Sequence, residues 1–505
     1  MTSIREYHER TKHSVASVQA NRHMLDWDNQ PLPFKIYTTL EPIPLPTDFG
    51  APTVSALDAI AATEPLAPRR PTPDRRELAR LLHFSAGVTR KKEYPGGHVM
   101  YFRAAACTGA LYHIDLYLVC GDLPDLPAGV YHFGPHDFAL RRLRAGDYRR
   151  TLVEATAEEP AIAHAPAVLV CTSTYWRNAW KYQSRAYRHA FWDSGTILAN
   201  LLAVAAGDGV SARVVLGFVD AMVNTLLGLD SEREAALSLV PLGEGAPVPK
   251  GAAPHAAPLS LETKPLSHHE VDYPLIRAAH AASSLATPAD VRAWRAAAIA
   301  ARPPATPAAI ALQPLVQPPS RSLADVILQR GSTRRFARAP IGFGQLSTAL
   351  HVSTRGVPAD FLATPAASLA ECYVIANAVE KLPSGAYVFD RERNALGQLK
   401  TGDFRRTAGF LDLGQELAAD AAMNFYLLAD LDRILSRLGD RGYRAAQLES
   451  AIIGGKLYLA VYALGLGATG LTFFDDDVTE FFSPHAAGKG VMFLVAAGVP
   501  ARRRR

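Results

Sequence analysis

This chain repeats itself over a distance too long for any solenoid. Lys181-Tyr182-Gln183-Ser184-Arg185-Ala186-Tyr187-Arg188-His189-Ala190 lies over Arg437-Leu438-Gly439-Asp440-Arg441-Gly442-Tyr443-Arg444-Ala445-Ala446 without a gap, sharing Arg, Tyr, Arg and Ala. The register of 256 residues continues through Asp193 over Glu449, Leu201 over Leu457 and Gly209 over Gly465. Upstream, Leu82-His83-Phe84-Ser85 lies over Leu350-His351-Val352-Ser353 at an offset of 268. A period of this size means a duplicated domain. At 505 residues there is room for two such domains and their connections.

Composition excludes several classes. With 49% hydrophobic and 20% charged residues the chain is an ordinary globular protein with ample core. A net charge of +5, part of it in the Arg502–Arg505 tail, gives no ground for a nucleic-acid partner. The start lacks the apolar run of a signal peptide, and no stretch of about twenty residues is free of polar groups, so neither secretion nor a membrane span is expected; the cytoplasm is the default. Cys107, Cys120, Cys171 and Cys372 include no close pair, which argues against a disulfide framework and against a zinc site; no metal is expected.

Residues 1–45 are polar and then proline-rich, an extended arm to a first copy that ends near 245. Its pattern is a helix from Asp74, strands at Ala110–Val119 and Ala167–Thr174, and a long apolar helix from Arg185 to Ala206, closed by Gly207 and Gly209. Residues 246–321, rich in Pro and Ala with one helical patch near Ala289–Ala301, form a linker packed on the surface. A second copy, 322–505, repeats helix, strand (Cys372–Ala376), long helix (Tyr443–Leu464) and a last strand (Val491–Ala497). Each copy is α+β with few strands. A helix apolar nearly all round must be covered on all sides, so the copies are expected to pack through their long helices as a pseudo-dimer within one chain.

Chemistry concentrates in Arg330-Gly331-Ser332-Thr333-Arg334-Arg335-Phe336, which follows a short amphipathic helix. In an extended segment Arg330, Ser332 and Arg334 point the same way, and two guanidinium forks with a hydroxyl suit a phosphate dianion. Arginines meeting a helix C-terminus are an equally good reading of the spacing alone.

Together these stretches resemble the flavin-dependent nitroreductase superfamily: Arg-x-Ser-x-Arg-x-Phe after a first helix, then a helix ending Leu-x-x-Ser. Copy one is similar to the SagB-type branch, which oxidises azolines to azoles in peptide maturation. That likeness rests on Leu82–Arg90, Tyr94-Pro-Gly-Gly97, Arg103–Tyr112 and Trp176–Tyr182. It implies FMN as cofactor, a duplicated FMN-dependent fold, a small-molecule or peptide substrate and a biosynthetic partner enzyme. Where the family loop usually reads Pro-Ser-Ala-Gly, this chain has Ala106-Cys107-Thr108-Gly109; the thiol keeps a small polar group but weakens hydrogen bonding.

In the family's homodimers each flavin takes its phosphate grip from one subunit and part of its ring pocket from the other. On that pattern one composite site is intact, with Arg330, Ser332, Arg334 and Lys489 from copy two, and Cys107, Thr108, Gly109, Lys181 and Tyr182 from copy one. The opposite site would join Leu438 to a degraded loop with no arginines, so one FMN per chain is expected. By the resemblance, Lys181 and Tyr182 supply the base: a tyrosine whose pKa a neighbouring ammonium lowers, or a lysine whose own pKa burial lowers. The alternatives are an NAD(P)H-dependent reductase of nitroaromatics or quinones, and a flavin-free scaffold.

Other motifs carry less. Gly465-Leu-Gly-Ala-Thr-Gly470 has the letters of a dinucleotide fingerprint but follows a helix; it ends that helix and lets backbone near the ring, Gly470 closest. Phe473-Phe474-Asp475-Asp476-Asp477 suits N-capping. His268-His269-Glu270 has a surface role.

Overall fold

The computed structural model describes residues 3–95, 99–300 and 309–501; Gly96, Gly97 and the Arg502–Arg505 tail lie outside them. The two apolar runs fold as the helices Ala186–Gly207 and Arg441–Ala463, both buried and packed against each other at the centre of the molecule. The span Tyr175–Gly207 is long and apolar enough to cross a membrane by composition, yet it is a core element, 94% of its apolar window being buried in protein.

The crossing is made of small residues that complement each other. A Cβ added to Gly195 would overlap that of Ala451, and one added to Gly455 would come within 2.6 Å of that of Ala199. These are the same two positions in the two copies, with Gly and Ala exchanged. One Gly and one Ala fit where two Ala would collide, so each copy is matched to the other rather than to itself.

On either side of the helix pair lies an antiparallel sheet. In copy one the strand order is Pro42–Pro44, Ala139–Ala145, Gly129–Gly134, Ile114–Cys120, Ala167–Thr174, Glu234–Leu242. In copy two it is Gly467–Gly470, Gly490–Gly498, Met423–Ala429, Ala370–Ala376, Gly385–Asp390, Ala395–Thr401, Ala309–Ala311. From Ile114 over Ala370 to Leu242 over Gly498 the offset of 256 never slips. The fall from 268 upstream is taken up by a hairpin, Val88–Glu93 with Val99–Arg103, that only copy one has.

Six and seven strands correct the expectation of few. Among the missed ones GVYHFG and ALRRLRA carry Gly, His and Arg, and tertiary pairing overrides their weak local pattern. The arm is also less extended than expected: it forms helices Ile4–Arg10 and Val15–Ala20 before Pro42–Pro44 joins the sheet of copy one. Nor does the linker stay on the surface. Its helices Pro274–Ala282 and Pro288–Ala296 bury Ile276, Ala279, Val291 and Trp294.

The duplicated Arg-x-x-Arg now has a reason. Arg185 and Arg188 of copy one hold Asp475 of copy two at 3.0 and 2.6 Å, and Arg441 and Arg444 of copy two hold Asp220 of copy one, each at 2.7 Å. All six side chains are buried, and these guanidinium charges hold both carboxyls well below the usual range despite burial. Asp475 is therefore a buried counter-ion across the two copies, and its side chain caps nothing. Removing one member of such a pair strands a buried charge, at about 3–5 kcal/mol.

Candidate active site at the junction of the copies

The helix Leu323–Gln329 ends at Arg330, and the extended loop beyond it is held from below by two tyrosines of the copy-two central helix. Tyr462 donates its hydroxyl proton to Gly331 O at 3.0 Å. Tyr458 accepts the Gly470 N–H, and its oxygen lies 3.4 Å from Ser332 Oγ. Copy one has Leu202 and Ala206 at these positions and can hold no such loop. Sequence reasoning missed both tyrosines; the signal was two hydroxyls one turn apart in an apolar run that its duplicate lacks.

Arg330 crosses to copy one. Its Nε donates to Ala104 O at 2.9 Å and its Nη2 to Arg103 O at 3.0 Å, with the guanidinium over the Tyr458 ring. Ser332 and Arg334 are exposed beside it, and the Arg334 charge acts on Tyr182 of copy one. Phe336 anchors the loop in an apolar cluster with Ala421 and Ala496. The loop thus faces the end of the copy-one hairpin and the segment Cys107–Gly109.

Asp193 on the central helix organises that segment. Its carboxylate accepts from Thr108 N at 2.9 Å, Thr108 Oγ1 at 2.8 Å and Cys107 Sγ at 3.0 Å, and lies 3.0 Å from His113 Nε2. Cys107 is thus a bonded thiol, more firmly held than the sequence suggested, and burial beside Asp193 keeps its pKa well above the ordinary value. Gly109 has a left-handed φ of 61°, and a Cβ there would stand 2.9 Å from the Tyr182 hydroxyl.

Lys181 and Tyr182 end the helix Tyr175–Tyr182, with Lys181 Nζ 5.5 Å from the Tyr182 ring centroid. The next residue, Gln183, holds φ 49° and ψ −140°, a conformation for which copy two uses Gly439. A non-glycine residue kept there beside Lys181-Tyr182 marks stored strain. The Tyr182 phenol departs from expectation. Burial, then Asp193 and Cys107, raise its pKa, and the opposing Arg334 charge does not reverse this. Tyr182 is protonated at neutral pH, which suits a donor better than a base.

Lys489 is not brought to the arginine loop. Its Nζ pairs with Glu371 at 2.7 Å and with Tyr373 OH at 2.8 Å, and it lines a cavity of copy two with Arg391 and Arg433. Strand register sets this: Lys489 precedes the strand Gly490–Gly498, and the arginine loop meets that strand at its far end, where Gly470 pairs with Val495 and Phe336 bridges Pro500.

The opposite junction has been rebuilt. At the upstream offset Arg330, Ser332 and Arg334 fall on Ala62, Glu64 and Leu66. Thr472 and Phe473 correspond to Leu216 and Gly217, whose N–H groups are both taken by the Asp360 carboxylate at 2.9 and 2.8 Å. The Trp294 ring stands 3.2 Å from where a Cβ of Gly217 would lie. Beside them a cavity of about 570 Å³ remains, lined by Glu64, Leu202, Arg213, Glu244 and Leu362 among others. Leu438 is buried core, and Arg437 Nε donates to Ala297 O of the linker.

The nitroreductase family model matches residues 73–244 and again 327–498. The chain belongs to the nitroreductase family. A nitroreductase-family protein of Anabaena variabilis, known as a crystal structure, matches 99% of this chain and 100% of its own at 27% identity and a TM-score of 0.77. A relative named as a nitroreductase in Methanocaldococcus jannaschii is 26% identical over 168 residues, 33% of this chain and 79% of its own. The cofactor of this nitroreductase family is FMN. The intact junction fits it: Thr472 Oγ1 is buried there without a hydrogen-bond partner among the described residues, while the loop opposite offers Ser332 and Arg334.

Proposed function

We propose that this chain is an FMN-dependent oxidoreductase with one active site, at the junction where the copy-two arginine loop meets Cys107–Gly109 and Tyr182 of copy one. Arg330, Ser332 and Arg334 would take the phosphate, Thr108, Gly109 and Gly470 would border the ring, and Lys181-Tyr182 would face the substrate. FMN when bound supplies hydride acceptance and donation. The observation that carries the single-site reading is the other junction, where Asp360 and Trp294 occupy the corresponding backbone and no arginine loop exists. FMN released by denaturation and measured by absorbance should come to one mole per mole of chain; two moles would sink the asymmetry.

For the reaction, the resemblance of copy one favours dehydrogenation of an azoline-type, amino-acid-derived substrate in natural-product biosynthesis, with a partner enzyme supplying it. The proton lost with the hydride would go to Lys181 Nζ in its neutral amine form; the side chain is half-buried and makes no hydrogen bond among the described residues. Tyr182, protonated in the resting protein, would hold the substrate by donating a hydrogen bond. That same raised phenol also favours a second reading, a reductase of nitroaromatics or quinones, in which Tyr182 gives up its proton. Anaerobic bleaching of the flavin by an azoline supports the first; NAD(P)H consumption with a quinone and no bleaching by azoline supports the second.

A further inference from the structure

The two copies contain matching hollows of very different size. In copy one Ala86, Tyr112, Ile114 and Ile197 line about 10 Å³; in copy two Thr354, Ser368, Ala370 and Ile453, at the same registers, line part of a cavity of about 360 Å³. Copy one plugs its hollow with Arg103, from the end of the hairpin that copy two lacks, whose guanidinium bonds Ile114 O and Pro33 O and lies over the Phe34 ring.

The cations around the two hollows differ in the same direction. Arg177 of copy one is fully buried, and its two Nη groups donate to Tyr112 O, Thr174 Oγ1 and Asp115. Arg433, its counterpart 256 residues on, makes no side-chain hydrogen bond and no ion pair among the described residues, though it lines the cavity. Arg391 lines it too; its Nη1 reaches Ala366 O and Ala367 O at 3.1 and 3.4 Å, and its other N–H groups have no partner among the described residues.

The carboxylates on the walls are partly committed elsewhere. Glu371 pairs with Lys489, Asp430 accepts the Arg433 backbone N–H at the start of its helix, and Glu392 is exposed at the rim. Leu369, Cys372, Phe389 and Leu427 supply an apolar wall. Two guanidinium groups with donors left over beside an apolar wall are costly without an anion and well shaped for one.

We propose that this copy-two cavity binds a small organic anion, a carboxylate or phosphate on an apolar body, held by Arg391 and Arg433 and separate from the flavin junction. It would be a second ligand site, opened when copy two went without the hairpin and arm residues that close its counterpart.

The test is calorimetric titration of the full chain, at saturating FMN so that the flavin junction is filled, with benzoate and with phenyl phosphate. At least one should bind at one per chain, and benzyl alcohol, the neutral analogue, should not. Whichever binds more tightly tells whether carboxylate or phosphate is preferred. Arg433→Gln should weaken binding by about ten- to a hundredfold, the worth of one charge-assisted hydrogen bond, with FMN content and melting temperature unchanged. Arg391→Gln should weaken it as much or more; should that variant fail to fold, Arg433→Gln alone decides. No binding of either anion at millimolar concentration overturns the proposal, and so does binding that Arg433→Gln leaves unaltered.

Discussion

The loop after Leu323–Gln329 and the segment after Ala56–Ala61 are equivalent pieces of one duplicated fold, and they have gone opposite ways. One keeps Arg330, Ser332 and Arg334 on a platform of Tyr458 and Tyr462. The other has Ala62, Glu64 and Leu66 above Leu202 and Ala206, and Asp360 with Trp294 fills the neighbouring backbone. Duplication within one chain frees each copy from serving both sides of the interface. Each junction then needs only half of each copy's equipment, and the unused halves can drift or be rebuilt.

Removing the grip should show the largest effect. Arg330→Ala with Arg334→Ala should weaken FMN binding by roughly two to four decades, since charge-assisted bonds to phosphate are worth about 1.5–3 kcal/mol each. Fluorescence titration with FMN measures this; full retention of flavin would place the phosphate elsewhere and undo the contrast between the junctions.

Next come the residues proposed to face the substrate. Lys181→Ala should keep FMN and lose turnover about a hundredfold or more if it accepts the proton. Tyr182→Phe should also keep FMN and lose turnover by a similar factor. Rates with an azoline and with a quinone, compared in each variant, separate the two reactions proposed.

The rebuilt junction has its own signature in pH. Burial pushes the Asp360 carboxyl up to about 6, against the pull of the two N–H groups it accepts from. A carboxyl raised in the folded state adds stability below the ordinary carboxylate range, and that contribution is lost as pH rises through about 6. Asp360→Asn keeps an acceptor without the charge. Its stability relative to wild type should therefore improve between about pH 4 and about pH 7.5, by up to about 3 kcal/mol. Denaturant melts at both pH values check this, and flavin content should stay at one per chain; a gain of a second flavin would mean that Asp360 alone kept FMN out.

Packing between the copies predicts a smaller loss. Gly195→Ala would set a Cβ against that of Ala451 and should cost about 1–3 kcal/mol of stability, read from the shift in denaturation midpoint. Pairing it with Ala451→Gly should recover most of the loss, because the two positions are equivalent. The smallest effect belongs to Arg437→Ala, on an exposed side chain with a single bond to Ala297 O, which should change neither rate nor stability beyond about 0.5 kcal/mol. Leu438, equivalent to Tyr182, is buried, and its truncation would cost about 2–5 kcal/mol.

Much of this was legible in the chain itself. The Arg-Tyr-Arg repeat announced two copies, the apolar runs announced the helices between them, and Arg330-x-Ser332-x-Arg334 marked the loop proposed to take the phosphate. Local pattern suffices there because a duplicated register, a long apolar stripe and a cluster of guanidinium groups are each properties of neighbours in sequence. The strands Gly129–Gly134 and Ala139–Ala145 escaped notice because their stability comes from pairing across the sheet. Lys489 was assigned to the wrong cavity because the direction of the strand that follows it is not written in its neighbours.

What the sequence determined alone is the duplication, its 256-residue register through the long helices and the asymmetry of the Arg330-x-Ser332-x-Arg334 loop. What only the tertiary structure decided is which residues meet. Arg185 and Arg188 find Asp475 about 290 residues away, and Asp360 and Trp294 come from separate segments to close one junction. The raised pKa of Tyr182 belongs to the same group, because it depends on burial and on Asp193 and Cys107. Such contacts form because burying apolar surface brings distant segments together, and once water is excluded each polar group must take whatever partner the packing supplies.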